Sequence, residues 1–195
     1  LGNAYGMDPL SQGFQDSLEM MGPLYLPEDH PDVVNAKFDT RIDRMVWGIG
    51  QYSARFNGGD LFAPDKYLTD YYTDEALKVI ENNKDRPFFL YLSHWAIHNP
   101  LQALRSDVQQ MSHMHGHNLQ VYSGMIAALD RSVGKVIEKL KDLDIHGKTL
   151  IIFTSDNGGA NYIELDDINK PFRGWKISFF EGGIRVPFIV SWPDE

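Results

Sequence analysis

Cysteine is absent from all 195 residues, which excludes a disulfide framework. Cysteine-free chains are tolerated in reducing and oxidising compartments alike, so redox location stays open. Long hydrophobic runs are also missing: none approaches the ~20 apolar residues that a membrane span needs. Basic charge is in deficit, with 18 Lys and Arg against 27 Asp and Glu and a net charge of −9. Duplex binding relies on clustered Lys and Arg to neutralise phosphates, so no nucleic-acid partner is expected. Repeats, low-complexity tracts and an internal linker are lacking as well, and a length of 195 residues suits one domain or a large part of one. Residues 1–66, rich in Gly, Pro and Asp, show little periodicity and read as irregular with one short helix.

What is present begins at Thr69. Tyr72, Ala76, Val79 and Ile80 recur at helical spacing, with Thr69 or Asp70 as the cap and Pro87 beyond the end. Phe88–Leu92 is the first convincing strand. Tyr122, Met125, Ile126, Leu129, Val133, Val136, Ile137 and Leu140 then mark a long amphipathic helix closed by Gly147. Leu150–Phe153 and Pro187–Trp192 supply two further apolar strands. A right-handed crossover from Phe88–Leu92 through the long helix to Leu150–Phe153 would make those strands parallel and bring His98 and Asp156 to one sheet edge.

The strand Leu150–Phe153 ends abruptly in Thr154-Ser155-Asp156-Asn157-Gly158-Gly159. Open parallel sheets place ligands beyond their strand carboxyl ends. Adjacent carboxylate and amide oxygens suit a hard cation such as Ca²⁺ or Mg²⁺, and the glycines let the backbone turn. Asp-Asn-Gly-Gly is equally ordinary turn chemistry, and these residues alone leave both readings open.

Two downstream runs bear on the choice: Lys170-Pro171-Phe172-Arg173-Gly174-Trp175-Lys176, and Phe180-Glu181-Gly182-Gly183-Ile184-Arg185-Val186-Pro187. Together with Ser155-Asp156-Asn157-Gly158 they resemble the sulfatase family, whose members carry Ser-Asp-Asn-Gly, Arg-Gly-x-Lys and Glu-Gly-Gly-x-Arg-x-Pro in that order. Upstream, Pro87 to Pro100 looks like the family's strand and His-x-Pro segment, and Tyr122 to Asp130 like the helix that follows. The likeness is dense from about Tyr67 onward and thinner between Met20 and Pro64.

The resemblance implies an alkaline-phosphatase-like α/β fold, a three-layer αβα sandwich around a mixed, largely parallel sheet. It implies that His98 contacts the sulfate and assists the leaving oxygen, and that Lys176 binds sulfate. Asp156 and Asn157 are implied as metal ligands, with Ca²⁺ as the expected ion and Mg²⁺ as the alternative. Leu1-Gly2 look like the end of a Gly-Lys-x-His-Leu-Gly motif. Residues 1–195 are therefore expected to be a partial catalytic domain, with the formylglycine nucleophile and a C-terminal subdomain outside the chain.

Other residues attract attention for weaker reasons. His94 stands one helical turn from His98 and reads as structural. Arg173, Glu181-Gly182-Gly183 and Arg185 read as loop-ordering, with Arg185 held by a carboxylate or carbonyls. His113, His115 and His117 would share one face of a strand, as transition-metal ligands could, but the run contains Gly116 and reads as a solvent-exposed connection. The stretch Trp47 to Phe56, with Tyr52 and Arg55, could line a sugar or aryl pocket, with core packing as the default.

The expected activity is sulfate ester hydrolysis in the complete protein, the 195 residues alone being inactive. Two alternatives stay open: a phosphate or phosphonate ester hydrolase of the same superfamily, and a non-catalytic carbohydrate-binding relative. Expected partners are a sulfated small molecule or carbohydrate and a maturation enzyme, formylglycine-generating or anaerobic. Family habit implies a periplasmic or extracellular location.

Overall fold

The computed structural model describes residues 6–165 and 167–194, so the Leu1-Gly2 pair lies outside the described residues. In chain order the elements are β1 (Leu18–Met20), β2 (Val33–Ala36), α1 (Arg41–Gly48), β3 (Ala54–Phe56), β4 (Leu61–Phe62), α2 (Leu68–Asn83), β5 (Leu101–Leu104), α3 (Arg105–Gln110), α4 (His117–Asp142), β6 (Ile151–Thr154), α5 (Glu181–Ile184) and β7 (Phe188–Ser191). Residues 6–66 hold the expected short helix, α1, but also four strands. Each strand has two to four residues, too few for alternation to stand out in the sequence.

Helix α2 buries Leu68, Tyr72, Ala76 and Ile80 along one stripe. Its cap is Tyr67 rather than Thr69 or Asp70, and no side chain closes it. Thr69 is instead turned into the core at 2% exposure. Helix α4 buries Val121, Gly124, Met125 and Ala128, beginning earlier than its apolar stripe suggests and ending at Asp142, short of Gly147. The chain reverses at Asp144, which adopts a left-handed φ of 56°. Arg131 on α4 pairs with Asp70 on α2 and with Asp107 on α3, and Thr73 Oγ1 on α2 meets Ser132 Oγ on α4 at 2.6 Å.

Three small sheets accompany the helices. β1, β3 and β4 form one, β2 and β5 a second, and β6 and β7 a third, every ladder between described residues being antiparallel. The core gathers where α4 covers β5 and β2, with Tyr25, Leu101, Ala103, Val121 and Met125 fully buried. A Cβ on Gly124 would lie 3.1 Å from the Ala103 Cβ, so the missing side chain sets how closely helix and strand approach.

The expected parallel pairing of Phe88–Leu92 with Leu150–Phe153 does not form between described residues. Among the described residues Phe88–Leu92 has no ladder partner, although its exposure alternates, Phe89 and Tyr91 outward and Phe88, Leu90 and Leu92 half-buried. The crossover helix packs on β5 and β2 instead, and β6 takes β7 as its neighbour with Thr154 opposite Phe188. The strand that anchors His98 is β5, which follows the histidine loop directly.

Candidate functional site

His98 lies between Trp95 and β5 in a loop pinned from below. The hydroxyl of fully buried Tyr25 lies 3.0 Å from the Trp95 carbonyl and 2.9 Å from the His98 carbonyl. Trp95 stacks on the His98 ring at 4.0 Å and donates its indole N–H to the Pro23 carbonyl at 3.0 Å. The imidazole is therefore held on one face by an aromatic plane. Its Nδ1 donates to the Asn99 carbonyl at 2.6 Å, which leaves the Nε2 lone pair facing the Lys176 ammonium at 3.1 Å.

That proton placement agrees with the electrostatics. Burial lowers the His98 pKa below its ordinary value, the Asn99 carbonyl opposes this, the Lys176 charge adds to it, and the Asp156 carboxylate opposes it again. A neutral imidazole accepting from an ammonium is the resting arrangement these influences favour.

Lys176 reaches this position because three glycine-bearing segments pack backbone to backbone. Gly158 N–H donates to the Gly183 carbonyl at 2.9 Å, and Gly182 N–H donates to the Arg173 carbonyl at 2.8 Å. A Cβ at Gly158 would stand 1.8 Å from the Gly182 oxygen, and one at Gly183 would stand 2.1 Å from the Ser178 oxygen. Only glycine permits either approach. The Asn169 side chain clamps Gly159 from both sides, accepting from its N–H at 2.8 Å and donating to its carbonyl at 2.9 Å. Lys176 N–H donates to the same carbonyl at 3.2 Å, tying the lysine to the loop that carries Asp156 and Asn157.

Asp156 is exposed and Asn157 half-buried just beyond β6, and neither side chain bonds to another described residue. Their oxygens are free donors of the hard type that Ca²⁺ or Mg²⁺ takes. The donor set fits such an ion but is incomplete, since among the described residues no three His, Asp or Glu side chains converge as metal ligands. Thus the structure brings His98 and Lys176 into contact and puts Asp156 within electrostatic reach of His98, by a route other than a parallel sheet.

The remaining candidates separate from this site. His113 and His115 sit exposed in a turn, and His117 opens α4 with its Nε2 at 2.8 Å from the Asn35 carbonyl. His94 bonds Ser132 on α4 at 2.8 Å, a packing role. Arg185 pairs with Glu181 at 3.2 Å and lies over the Phe172 ring, while Arg173 lies over Phe180 at 3.9 Å. Tyr52 donates to the Lys66 carbonyl and Arg55 pairs with Glu19, while Ile49 and Phe56 in the same stretch are exposed. Two residues absent from the sequence reading belong here. Tyr162 places its ring 5.2 Å from the Lys176 ammonium, and Asn99 holds the His98 proton. Asn99 could have been noticed inside His98-Asn99-Pro100, whereas nothing in the sequence marks Tyr162.

Comparison with known proteins accords with this geometry. The family model described as Sulfatase matches residues 7–195. The chain is 38% identical over 197 residues to N-acetylgalactosamine-6-sulfatase of Mus musculus, an alignment covering 99% of this chain and 36% of that protein. It is 28% identical over 203 residues to N-acetylgalactosamine-6-O-sulfatase of Bacteroides thetaiotaomicron, covering 98% of this chain and 39% of that one. The crystal structure of Ps i-CgsB in complex with k-i-k-neocarrahexaose superposes with a TM-score of 0.80 at 30% identity, over 99% of this chain and 43% of that chain. The alkaline-phosphatase-like α/β fold is thereby established for a chain that spans about two fifths of the length of these relatives. On the family match and on this fold, the chain belongs to the sulfatase family.

Proposed function

We propose that this chain forms the sulfate-holding side of a sulfuric ester hydrolase whose substrate is a sulfated carbohydrate. The observation that carries the proposal is the 3.1 Å contact of Lys176 Nζ with His98 Nε2, a cation and an imidazole converging within electrostatic reach of Asp156. Carbohydrate is favoured over a simple aryl ester because the relatives above are N-acetylgalactosamine-6-sulfatases and Ps i-CgsB is bound to k-i-k-neocarrahexaose.

In this reading the sulfate monoanion accepts from Lys176, replacing the bond that Nε2 makes to the ammonium. Nε2 then takes up a proton, favoured by the new anion beside it. As the nucleophile's oxygen bonds to sulfur and the ester sulfur–oxygen bond breaks, the electron pair of the broken bond goes to the leaving oxygen, which receives the Nε2 proton, and His98 returns to neutral. Lys176 meanwhile stabilises charge on the sulfate oxygens in a partly dry site. Asp156 and Asn157 would supply part of the shell of a Ca²⁺ ion, whose chemistry is to polarise a sulfate oxygen. The nucleophile, by family resemblance a formylglycine, belongs to sequence outside these 195 residues, and a maturation enzyme would generate it. A periplasmic or extracellular location is part of the same proposal and rests on resemblance alone.

The test compares the full-length protein on aryl sulfate, aryl phosphate and 6-O-sulfated N-acetylgalactosamine. Release of sulfate from the sugar is the expected result. Preference for aryl phosphate would move the protein to the phosphoesterase reading, and no turnover of any ester by matured protein would leave a binding module. The 195-residue chain alone should hydrolyse none of them.

A further inference from the structure

Among the described residues Asp43 is the most deeply buried carboxylate. It occupies the first turn of α1 yet has no exposed surface. Half of its chemistry is a helix cap: Thr40 Oγ1 accepts from the Asp43 N–H at 3.2 Å, and Asp43 Oδ2 accepts from the Phe38 N–H at 2.8 Å. Capping explains Oδ2 only. A cap needs no buried charge, because Asn serves as well and helix ends ordinarily face water. Oδ1 closes no hydrogen bond to another described residue; burial raises the carboxyl's pKa, and the Phe38 N–H and the nearby Asn99 and Trp47 side chains oppose that rise.

Asn99, 3% exposed, meets three groups at once. Its side-chain amide faces Asp43, its Oδ1 accepts from the Tyr162 hydroxyl at 3.3 Å, and its backbone carbonyl accepts from His98 Nδ1 at 2.6 Å. Tyr162 in turn lies under the Lys176 ammonium and meets the Trp175 ring edge-on at 6.1 Å. Residues from α1, from the His98 loop and from the turn at 161–163 thus converge on one buried amide. His98 rests on the backbone carbonyl of the same residue, and Lys176 lies over the Tyr162 ring that the Asn99 side chain holds.

We propose that Asp43, Asn99 and Tyr162 are positioning residues that set the His98 tautomer and hold Lys176 against it, Asp43 acting through Asn99. The proposal rests on the hydrolase reading of the His98–Lys176 site. Asn99 fixes His98 through its carbonyl, so a loosened Asn99 releases the Nδ1 proton from its acceptor and lets Nε2 carry it. Nε2 would then meet the Lys176 ammonium donor to donor. Asn99 fixes Lys176 through Tyr162, whose hydroxyl keeps the aromatic face beneath the ammonium. Displacement of either group by about 1 Å is enough to lower turnover about a hundredfold.

The experiment uses the full-length protein with histidine ¹⁵N labelling. Long-range ¹H–¹⁵N spectra report the His98 tautomer, steady-state rates on an aryl sulfate report kcat and KM, and thermal melts report folding. Asn99→Ala and Asp43→Asn should abolish the exclusive Nδ1–H signal of His98. They should lower kcat by about tenfold to a hundredfold while KM changes less than about threefold. Tyr162→Phe removes one hydroxyl and no packing volume, so it decides the matter if the other variants fail to fold. It should reduce kcat about tenfold. A His98 tautomer and kcat unchanged in Asn99→Ala and Tyr162→Phe would overturn the proposal, even with a lowered melting temperature, because the cluster would then serve folding alone. Lys176→Ala separates the two readings. If it destroys turnover while Asn99→Ala does not, only the positioning role fails. If it leaves turnover intact, the hydrolase site itself is wrong, and the tautomer spectra still judge Asp43 and Asn99.

Discussion

The Lys176 ammonium stands 3.1 Å from His98 Nε2 while His98 Nδ1 stands 2.6 Å from the Asn99 carbonyl, so both imidazole nitrogens are committed and to opposite duties. An ammonium must donate, so Nε2 must accept. The lysine is therefore a constraint on the histidine's proton as well as a charge.

That coupling gives the first prediction. In the full-length protein Lys176→Ala should lower kcat on an aryl sulfate by about two to three orders of magnitude, the usual scale for losing one donor to developing negative charge. Lys176→Arg should recover only part, because a planar guanidinium cannot replace a compact ammonium at both the imidazole and the anion. A near wild-type rate for Lys176→Ala, measured under saturating substrate, would remove Lys176 from the site.

A second prediction concerns the backbone packing that delivers Lys176. Gly158→Ala would set a Cβ 1.8 Å from the Gly182 oxygen, with backbone on both sides and no flexible side chain to yield. The cost should be about 3 kcal/mol, read as a lowered melting temperature. Gly134→Ala is the matched control. It lies within α4 with nothing within 4 Å of the added Cβ, so it should stabilise by up to about 1 kcal/mol. Equal effects from the two substitutions would refute the tight approach of the loops.

These loops were legible in the sequence because each is a local run of unusual residues, Asp156-Asn157-Gly158-Gly159 after a strand and Glu181-Gly182-Gly183 before an arginine. Helices α2 and α4 were legible for a similar reason, since a stripe at 3.6-residue spacing persists over several turns. β5 was not. Its four residues follow a proline, and Gln102, fully buried within it, breaks the apolar run. Its Oε1 accepts from the Tyr25 N–H at 2.8 Å, and its Nε2 donates to Asn35 Oδ1 at 2.8 Å. A polar residue satisfied by partners 77 and 67 positions away leaves no local trace. Asp43 and Tyr162 were hidden for the same reason: each looks ordinary among its neighbours and becomes informative only where distant segments meet. Asn99 could have been noticed inside His98-Asn99-Pro100.

The metal reading yields a third prediction. If Asp156 and Asn157 are ligands of Ca²⁺, chelation should lower the melting temperature of the full-length protein, and added Ca²⁺ should restore it by mass action. Asp156→Ala should weaken Ca²⁺ binding in a calorimetric titration more than Asn157→Ala, because a hard cation gains more from a carboxylate than from an amide oxygen. Unchanged Ca²⁺ affinity in both variants would take the metal away from this loop.

The fourth prediction follows from His94. Its Nε2 lies 2.8 Å from Ser132 Oγ, which lies 2.6 Å from Thr73 Oγ1, and the chain ends at the Thr69 carbonyl 2.6 Å further on. Nδ1 has no partner. A neutral ring is accommodated, but an imidazolium would need a second acceptor in a buried place, and burial holds the His94 pKa down to about 4 against an ordinary 6.5. The folded state therefore refuses a proton that the unfolded state accepts once the pH falls below 6.5. Stability from this group is complete above that pH, declines as the pH drops towards about 4, and levels off below it. At about 1.36 kcal/mol per pH unit, the loss is about 2 kcal/mol by pH 5 and at most about 3 kcal/mol in all. His94→Gln keeps a hydrogen-bonding group near Ser132 but does not titrate. Urea midpoints of wild type and His94→Gln at pH 7 and pH 5 should therefore diverge, the wild type losing the more on acidification. If both lose equally, the acid sensitivity belongs to other groups and the half-buried His94 contributes none of it.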